Sequence, residues 1–249
     1  MSISPEFTVL VIAHHPEDHA GFIGEAFQAR GARIITHLYP QDGPLSEPGA
    51  ADHVVVLGAS YSVYDDGDLR PAIATELDWL RRAEAAGVPV LGICFGAQAL
   101  CAALGGQVVP APLREVGWRL VATGDSGLIP AGPWLEFHGD QCLPPASARI
   151  LARNEVCVQA FAHGRHLAVQ FHPEVDGDLL RAWLEAGGRT EAISAGQDPD
   201  AFLAETAAAE PAARARAFAL VDAALKIARE VSPAPWADLD LAAGAQSWS

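Results

Sequence analysis

The chain has 249 residues, of which 31 are acidic and 16 are basic, so its formal net charge is −15, and half of its residues are hydrophobic. A surplus of acidic groups repels phosphate backbones and anionic lipids, because binding to both depends on clustered Lys and Arg. Nucleic acid and membrane surfaces are therefore excluded as predicted partners. The hydrophobic content predicts a folded, soluble protein rather than a disordered one.

The composition also predicts a cytoplasmic location. The apolar segment 7–13 is not preceded by a basic residue, and the first Arg is Arg30, so no secretion signal is expected. The four cysteines form no C-x-x-C pair, and a chain of this length does not need disulfides, which predicts reduced thiols. Segment 85–113 carries no charge, but its Gly and Pro residues divide it into strand, turn and helix lengths rather than a membrane span.

The first two thirds of the chain alternate β-branched runs with helical patterns, which is typical of a parallel sheet. From residue 116 to 171, short strands separated by turns are typical of antiparallel pairing. Near the C-terminus, Pro211 suits the first turn of a helix over 211–231. The elements predicted before that helix are strand 7–13, helix 22–30, strands 33–37 and 54–57, helix 71–86, strand 88–93, and strands near 118–121, 134–137, 150–152, 156–162 and 167–171.

A candidate nucleophile lies where a predicted strand meets a predicted helix. Cys94 ends the strand 88–93, and glycines two residues to either side give it the pattern G-x-C-x-G. Such glycines allow the sharp turn that projects a nucleophile at the carboxyl edge of a sheet, where ligands bind. The N-terminus of the following helix also favours a thiolate. The alternative is a buried structural thiol, which is the role expected for Cys101.

A candidate base and orienting acid follow the last predicted strand. His172, Pro173 and Glu174 form the sequence H-P-E. Pro173 favours an extended backbone at His172, and residues two apart in an extended segment share a side, so the carboxylate can reach one imidazole nitrogen and leave the other for a thiol. The order Cys, His, acid differs from the nucleophile, acid, His order of the α/β-hydrolases, which use the same elbow.

These residues resemble the class I, triad-type glutamine amidotransferases, whose motifs are G-x-C-x-G-x-Q and a distant H-P-E. The chain is similar to stand-alone members close to the amidotransferase domain of GMP synthetase. The resemblance implies a flavodoxin-like α/β fold with a mixed, mainly parallel sheet flanked by helices and a C-terminal helical extension. It implies a catalytic domain over 1–190, a helical extension over 191–232 packed on it, and a loose tail over 233–249.

The resemblance also implies roles for particular residues. Cys94, His172 and Glu174 match the catalytic triad, which attacks the side-chain amide of glutamine, forms a γ-glutamyl thioester and releases ammonia and glutamate. Segment 56–65 resembles the oxyanion loop, usually written G-G-P-x-S-V, although Ala and Ser replace its second glycine and its proline. The residues expected to supply oxyanion N–H groups are Gly58, Ala59 and Phe95, and those expected to bind substrate are Gln98, Glu115, Gly117 and Trp118.

The expected partners are glutamine or another γ-glutamyl compound and an ammonia-accepting synthetase subunit. No cofactor is expected, because the chain has no phosphate-binding G-x-x-x-x-G-K-[ST] loop. Two readings of the enzyme stay open: an amidotransferase subunit that serves a separate synthetase, and a free-standing hydrolase of γ-glutamyl amides or peptides. For Glu115, an ordinary strand-edge acid is an equal alternative, and segment 138–140, H-G-D, is either structural or near the site.

A zinc-dependent deacetylase is the rival chemistry. Segment 13–19, A-H-H-P-E-D-H, is similar to the A-H-P-D-D motif of zinc-dependent N-acetylglucosaminyl deacetylases, and His163 and His166 would add imidazoles. An extra His interrupts the motif, however, and the second pair of histidines lies on a predicted hairpin turn. No metal site is therefore predicted.

Overall fold

The computed structural model describes residues 7–124 and 127–230. Its strands and helices follow the alternation predicted from the sequence. Most boundaries differ by a few residues, but the strand predicted to begin near 118 begins at 107, and the helix predicted to begin at 211 begins at 199. In chain order the strands and helices are β1 (Phe7–Ala13), α1 (Gly21–Gln28), β2 (Ala32–Leu38), β3 (His53–Val56), α2 (Arg70–Ala85), β4 (Val90–Ile93), α3 (Phe95–Ala103), β5 (Gln107–Thr123), β6 (Gly132–Leu143), β7 (Arg149–Arg153), β8 (Val158–His163), β9 (His166–Val169), α4 (Gly177–Trp183), α5 (Arg189–Ser194) and α6 (Pro199–Glu230).

The strands form one nine-stranded sheet in the order β2-β1-β3-β4-β9-β8-β7-β5-β6. The pairings from β2 to β9 are parallel, and those from β9 to β6 are antiparallel. The strand β3, which lies between β1 and β4, is buried along its whole length, as expected of a parallel strand covered by helices on both faces. The predicted mixed sheet is therefore confirmed, and so is the predicted hairpin turn between β8 and β9, where Gly164 has a φ of 53°.

Helices cover both faces of the parallel half. On one face α1 and α6 pack on apolar side chains of β1, β3 and β9, and on the other face α2 and α3 pack on the alternate side chains of these strands. Because β4 and β9 are neighbours at the centre, the chain leaving β4 and the chain leaving β9 emerge side by side at the carboxyl edge. This adjacency positions the site.

The prediction that a helix begins at Pro211 is wrong. Pro211 lies inside the single 32-residue helix α6, which begins at Pro199. A proline inside a helix removes one hydrogen bond and destabilises it by about 3 kcal/mol. Burial of one face of α6 outweighs that loss, because helix stability in proteins comes mainly from packing of an apolar face. The fully buried residues on that face include Ala217, Leu220 and Val221.

The uncharged segment 85–113 contains the predicted strand and helix, which are β4 and α3, and it also contains the start of β5, which was not predicted there. Within the described residues, no helix combines the length and the apolar character needed to cross a membrane. The tail predicted over 233–249 lies outside the described residues.

Candidate active site

Cys94 occupies a strained turn between β4 and α3. It has a φ of 52° and a ψ of −109°, and among residues 7–124 and 127–230 it is the only non-glycine residue with positive φ. Two glycines permit the turn because their α-carbons touch other backbone: a methyl group on Gly92 would lie 2.5 Å from the Gly96 carbonyl oxygen, and one on Gly96 would lie 2.1 Å from the Val56 carbonyl oxygen. The predicted elbow therefore forms, and strain of this kind is typical of functional sites.

His172 and Glu174 form the hydrogen-bonded pair that the sequence predicts. His172 Nδ1 lies 2.7 Å from Glu174 Oε1, and both side chains are buried. The backbone holds them in place: the His172 N–H donates to the Leu135 carbonyl, and the Phe22 N–H donates to the Glu174 carbonyl. Among the described residues, His172 Nε2 has no hydrogen-bond partner, which leaves it available to a thiol or a substrate.

Cys94 and His172 lie on either side of Gly58, next to the same small space. A methyl group on Gly58 would lie 3.1 Å from His172 Cε1 and 3.7 Å from Cys94 Cβ. Burial lowers the pKa of His172, but the negative charges of Glu174 and Cys94 outweigh burial and raise that pKa well above its ordinary value. The structure therefore brings together the three predicted triad positions, with an imidazole that readily carries a proton.

The predicted oxyanion residues lie beside the thiol. Ala59 has a negative φ, so an alanine in place of the glycine of the G-G-P-x-S-V motif introduces no backbone strain there. The Leu57 carbonyl accepts a hydrogen bond from the Gly96 N–H, which ties the start of the loop to α3. Phe95 begins α3, where backbone N–H groups have no partner within the helix.

A second contact ties the loop to β6. Asp140 accepts hydrogen bonds from the Ser62 hydroxyl and from the Tyr64 hydroxyl, the latter at 2.6 Å. We call this three-residue contact the Asp140 latch. The H-G-D segment therefore contributes its aspartate to holding segment 56–65, the predicted oxyanion loop, a role that its sequence alone left open.

The site opens into a cleft of about 660 Å³. Its size falls within the range of pockets that hold small-molecule ligands, roughly 300–1,000 Å³. The lining residues come from the segments that follow β1, β3, β4 and β9, from β5 and β6, and from helices α3, α4 and α5 with the turn between α4 and α5. They include His14, Asp18, Gly58, Ala59, Tyr61, Ser62, Tyr64, Cys94, Gln98, Arg114, His138, Asp140, His172, Trp183 and Glu191.

Of the four predicted substrate-binding residues, one lines the cleft and three do not. Gln98 lines the cleft, and its side-chain amide donates to Gln170 Oε1 at 3.3 Å. Glu115, Gly117 and Trp118 are not among the lining residues. Gly117 has a φ of 110°, and the Trp118 indole donates to the Thr206 hydroxyl on α6, so this segment packs against the C-terminal helices.

Glu115 belongs to a buried polar cluster behind the cleft wall. His138 Nε2 lies 3.3 Å from Glu115 Oε2 and 3.2 Å from Glu136 Oε2. The ligand atoms of Glu115, His138 and Cys157 are close enough to hold a cation. The Gln159 amide nitrogen already lies between two of them, 2.9 Å from Glu115 Oε2 and 3.4 Å from the Cys157 sulfur, so a cation would have to displace it.

The cluster carries shifted pKa values. Burial raises the pKa of Glu136 to about 7, against partial compensation by His138. Burial lowers the pKa of His138, but hydrogen bonds to Glu115 and Glu136 outweigh burial and raise it to about 10. The net effect is that the His138 imidazole carries a positive charge near Cys94.

The histidines of the rival zinc motif do not meet. His14 contacts Glu76 on α2, whereas His163 and His166 lie beside Glu84 at the far end of the same helix. The arrangement therefore lacks the convergent imidazoles that a zinc hydrolase requires.

Two cleft residues, Asp18 and Trp183, had no role in the predicted triad site, and Asp18 was considered only as part of the rival zinc motif. The Trp183 ring lies 4.8 Å from the His172 ring, and its indole N–H donates to Asp18 Oδ1 at 3.1 Å. Asp18 belongs to the loop after β1, and Trp183 ends α4, so no local pattern relates them.

Comparison with known proteins was consistent with this geometry. The family model for class I glutamine amidotransferase matches residues 23–181. The chain is 34% identical over 186 residues to a glutamine-hydrolyzing GMP synthase from Thermomicrobium roseum, covering 69% of this chain and 32% of that protein. It is 29% identical over 178 residues to a γ-glutamyl-L-1-hydroxyisopropylamide hydrolase from a Pseudomonas species, covering 63% of this chain and 58% of the hydrolase. The chain thus spans about a third of the length of the GMP synthases that it matches.

A glutamine amidotransferase structure from Thermotoga maritima superposes with a TM-score of 0.80 at 24% identity. The superposition covers 90% of this chain and 98% of that one. It shows that the two chains share a fold.

Proposed function

The chain belongs to the class I glutamine amidotransferase family, and from this we propose that it hydrolyses the γ-amide of glutamine or of a related γ-glutamyl compound through Cys94, His172 and Glu174. The observation that carries the proposal is the meeting of a strained cysteine with a histidine held by a carboxylate, on either side of Gly58. A nucleophile, a base and a group that orients the base are the parts that covalent amide hydrolysis needs.

In the proposed reaction the Cys94 thiolate attacks the amide carbon, and the carbonyl oxygen gains the negative charge. N–H groups of Ala59 and Phe95 donate to this oxyanion. The protonated His172 gives its proton to the leaving nitrogen as the C–N bond breaks, which releases ammonia or an amine and leaves a γ-glutamyl thioester. His172 then takes a proton from water, the hydroxide attacks the thioester, and glutamate and the thiolate are released.

Glu174 acts on the imidazole rather than on the substrate. Its bond to Nδ1 fixes the ring with Nε2 toward the cleft and stabilises the imidazolium. Replacement of Glu174 by Ala should therefore lower the rate less than replacement of His172 by Ala, because the second change removes the base and the acid together.

Two candidate functions differ in whether the released ammonia passes to a synthetase. One is a subunit that supplies ammonia to a separate synthetase. The other is a free-standing hydrolase of γ-glutamyl amides, and the size of the cleft favours it, since about 660 Å³ leaves room for an amine substituent larger than the NH₂ of glutamine. Turnover of γ-glutamyl alkylamides by the isolated chain would support the hydrolase. Very low turnover of glutamine until a synthetase is added would support the subunit.

Labelling with a diazo-ketone analogue of glutamine tests the nucleophile and the substrate class together. We expect mass mapping to find the label on Cys94, and Cys94→Ser to lose both label and turnover by orders of magnitude. Cys101→Ser is the matched control, because Cys101 is also a buried thiol on the same segment but lies inside α3. Label on another residue, or activity retained in Cys94→Ser, would contradict the proposed triad.

A further inference from the structure

His14, the residue that follows β1, binds the oxyanion loop directly. Its Nδ1 lies 2.8 Å from the Gly58 carbonyl oxygen, and its Nε2 lies 3.0 Å from Glu76 Oε1 on α2. The side chains of His14 and Glu76 are each only 1% exposed. Both ring nitrogens of His14 are therefore hydrogen-bonded to other residues of the protein, so this histidine of the rival zinc motif has a structural role instead.

The hydrogen-bond partners fix the proton positions on the His14 ring. A carbonyl oxygen only accepts, so Nδ1 must carry the hydrogen that it shares with Gly58. Burial lowers the pKa of His14, but the charge and hydrogen bond of Glu76 outweigh burial and raise that pKa above its ordinary 6.5. Glu76 thus favours the protonated form of His14, and charge-assisted hydrogen bonds are stronger than those between neutral groups.

The bond to Gly58 orients the peptide that joins Gly58 to Ala59. In a trans peptide the C=O and the following N–H point in opposite directions. With the Gly58 carbonyl held by His14, the Ala59 N–H points away from His14. The neighbouring peptide is fixed independently, because the Leu57 carbonyl accepts from the Gly96 N–H at 3.1 Å.

His14 also packs against the residue that carries the second proposed oxyanion donor. Its ring meets the Phe95 ring edge to face, with centroids 4.9 Å apart, and the Tyr61 ring at 5.9 Å. Phe95 and Tyr61 are themselves 4.9 Å apart. One buried imidazole therefore contacts both the loop that carries Ala59 and the start of the helix that carries the Phe95 N–H.

We propose that His14, held by Glu76, is a positioning residue that sets the Gly58–Ala59 peptide so that the Ala59 N–H faces the substrate oxyanion. The proposal rests on the amide hydrolysis proposed above and adds a residue pair that acts through the backbone. An oxyanion forms only as the acyl group is attacked, so loss of this positioning should slow acyl transfer and leave substrate binding nearly unchanged.

Two reactions of the Cys94 thiol distinguish a loss of Ala59 N–H positioning from a general disturbance of the site. Acyl transfer from glutamine or γ-glutamyl p-nitroanilide needs oxyanion stabilisation, whereas alkylation of Cys94 by iodoacetamide needs the thiolate and no oxyanion. For His14→Phe we expect kcat to fall roughly tenfold to a hundredfold, with KM and the alkylation rate within about twofold of wild type. His14→Asn keeps a donor near the Nδ1 position and should recover much of the loss.

His53→Phe is the matched control, because His53 is a buried histidine at the opposite end of β3. Its acyl-transfer and alkylation rates should both match wild type. Equal losses of acyl transfer and alkylation in His14→Phe, or no loss of either, would overturn the positioning role. Should His14→Phe fail to fold, Glu76→Leu carries the same test: slower acyl transfer with unchanged alkylation supports the role, and wild-type acyl transfer overturns it.

Failure of the proposed function gives a different result. If wild-type protein turns over neither glutamine nor γ-glutamyl p-nitroanilide, the proposed hydrolysis fails. Acylation of Cys94 by p-nitrophenyl acetate, compared with alkylation by iodoacetamide, then still reports whether His14 supports an oxyanion at this thiol. A lower ratio of acylation to alkylation in His14→Phe than in wild type supports positioning, and an unchanged ratio overturns it.

Discussion

At the scale of single residues, close contacts set the geometry of the proposed triad. Gly58 separates Cys94 from His172 and has no side chain to push them apart. Glu174 holds one nitrogen of His172, and the other nitrogen is buried with no hydrogen-bond partner among the described residues. These contacts involve a few ångströms of space, so a single added carbon is enough to disturb them.

Gly58→Ala should lower kcat/KM by roughly tenfold to a hundredfold. The new methyl group would lie 3.1 Å from His172 Cε1, closer than ordinary van der Waals contact, so the imidazole must tilt away from the thiol. Gly67→Ala is the control, because no atom lies within 4 Å of a methyl group there. Turnover of a γ-glutamyl amide measures the effect, and equal activity of Gly58→Ala and Gly67→Ala would show that the Gly58 contact does not constrain His172.

At the scale of elements, the proposed oxyanion loop, segment 56–65, is held from two sides. His14 and Gly96 bind its start, and the Asp140 latch binds its middle to β6. A loop between a strand and a helix would otherwise sample several conformations, and only some of them would present an N–H to the substrate. The strand β6 thus takes part in the site through the latch as well as through the cleft wall.

Asp140→Ala should release the latch. We expect faster amide hydrogen exchange over residues 58–65 and kcat/KM lowered by roughly tenfold, because the loop then spends less time in the productive conformation. Asp68→Ala, which removes an exposed carboxylate outside the latch, should change neither quantity. Unchanged exchange in Asp140→Ala would mean that the loop is held without the latch.

At the scale of the whole molecule, the buried cluster behind the cleft links stability to pH. The pKa of Glu136 rises from 4.5 to about 7 in the folded state, and that of His138 from 6.5 to about 10. Between pH 4.5 and 7 for Glu136, and between pH 6.5 and 10 for His138, the native protein therefore binds more protons than the unfolded chain. The contribution of His138 to stability is complete below pH 6.5 and is lost as the pH rises toward 10, and ionisation of Glu136 adds a further loss between pH 4.5 and 7.

The free energy of unfolding, measured by urea denaturation, should therefore fall as the pH is raised from 5 to 9. Glu136→Gln removes one of the two titrating groups and should flatten the decline between pH 5 and 7, by roughly 1–3 kcal/mol across that interval. Glu155→Gln, a change in a turn outside the cluster, should keep the wild-type slope. A Glu136→Gln slope equal to that of wild type would show that Glu136 does not titrate in this range.

The sequence alone determined the features that depend on neighbouring residues. Alternating β-branched runs and helical patterns determined the mixed α/β fold, because each element follows from its own periodicity. The elbow at Cys94 depends on glycines two positions away, and the pairing of His172 with Glu174 depends on an extended step of two residues. Local chemistry was therefore sufficient to indicate the residues of the proposed triad and the family.

Only the tertiary structure decided which distant residues meet. The packing of α2 under β1 brings Glu76 to His14, and no spacing along the chain indicates this contact. A register shift in β5 between Pro110 and Glu115 precedes the position where Glu115 pairs with His138, and an irregular register cannot be read from alternation. Packing against the sheet likewise carries α6 through Pro211, against its local preference. In each case the deciding energy is burial between separated elements, which a local pattern does not contain.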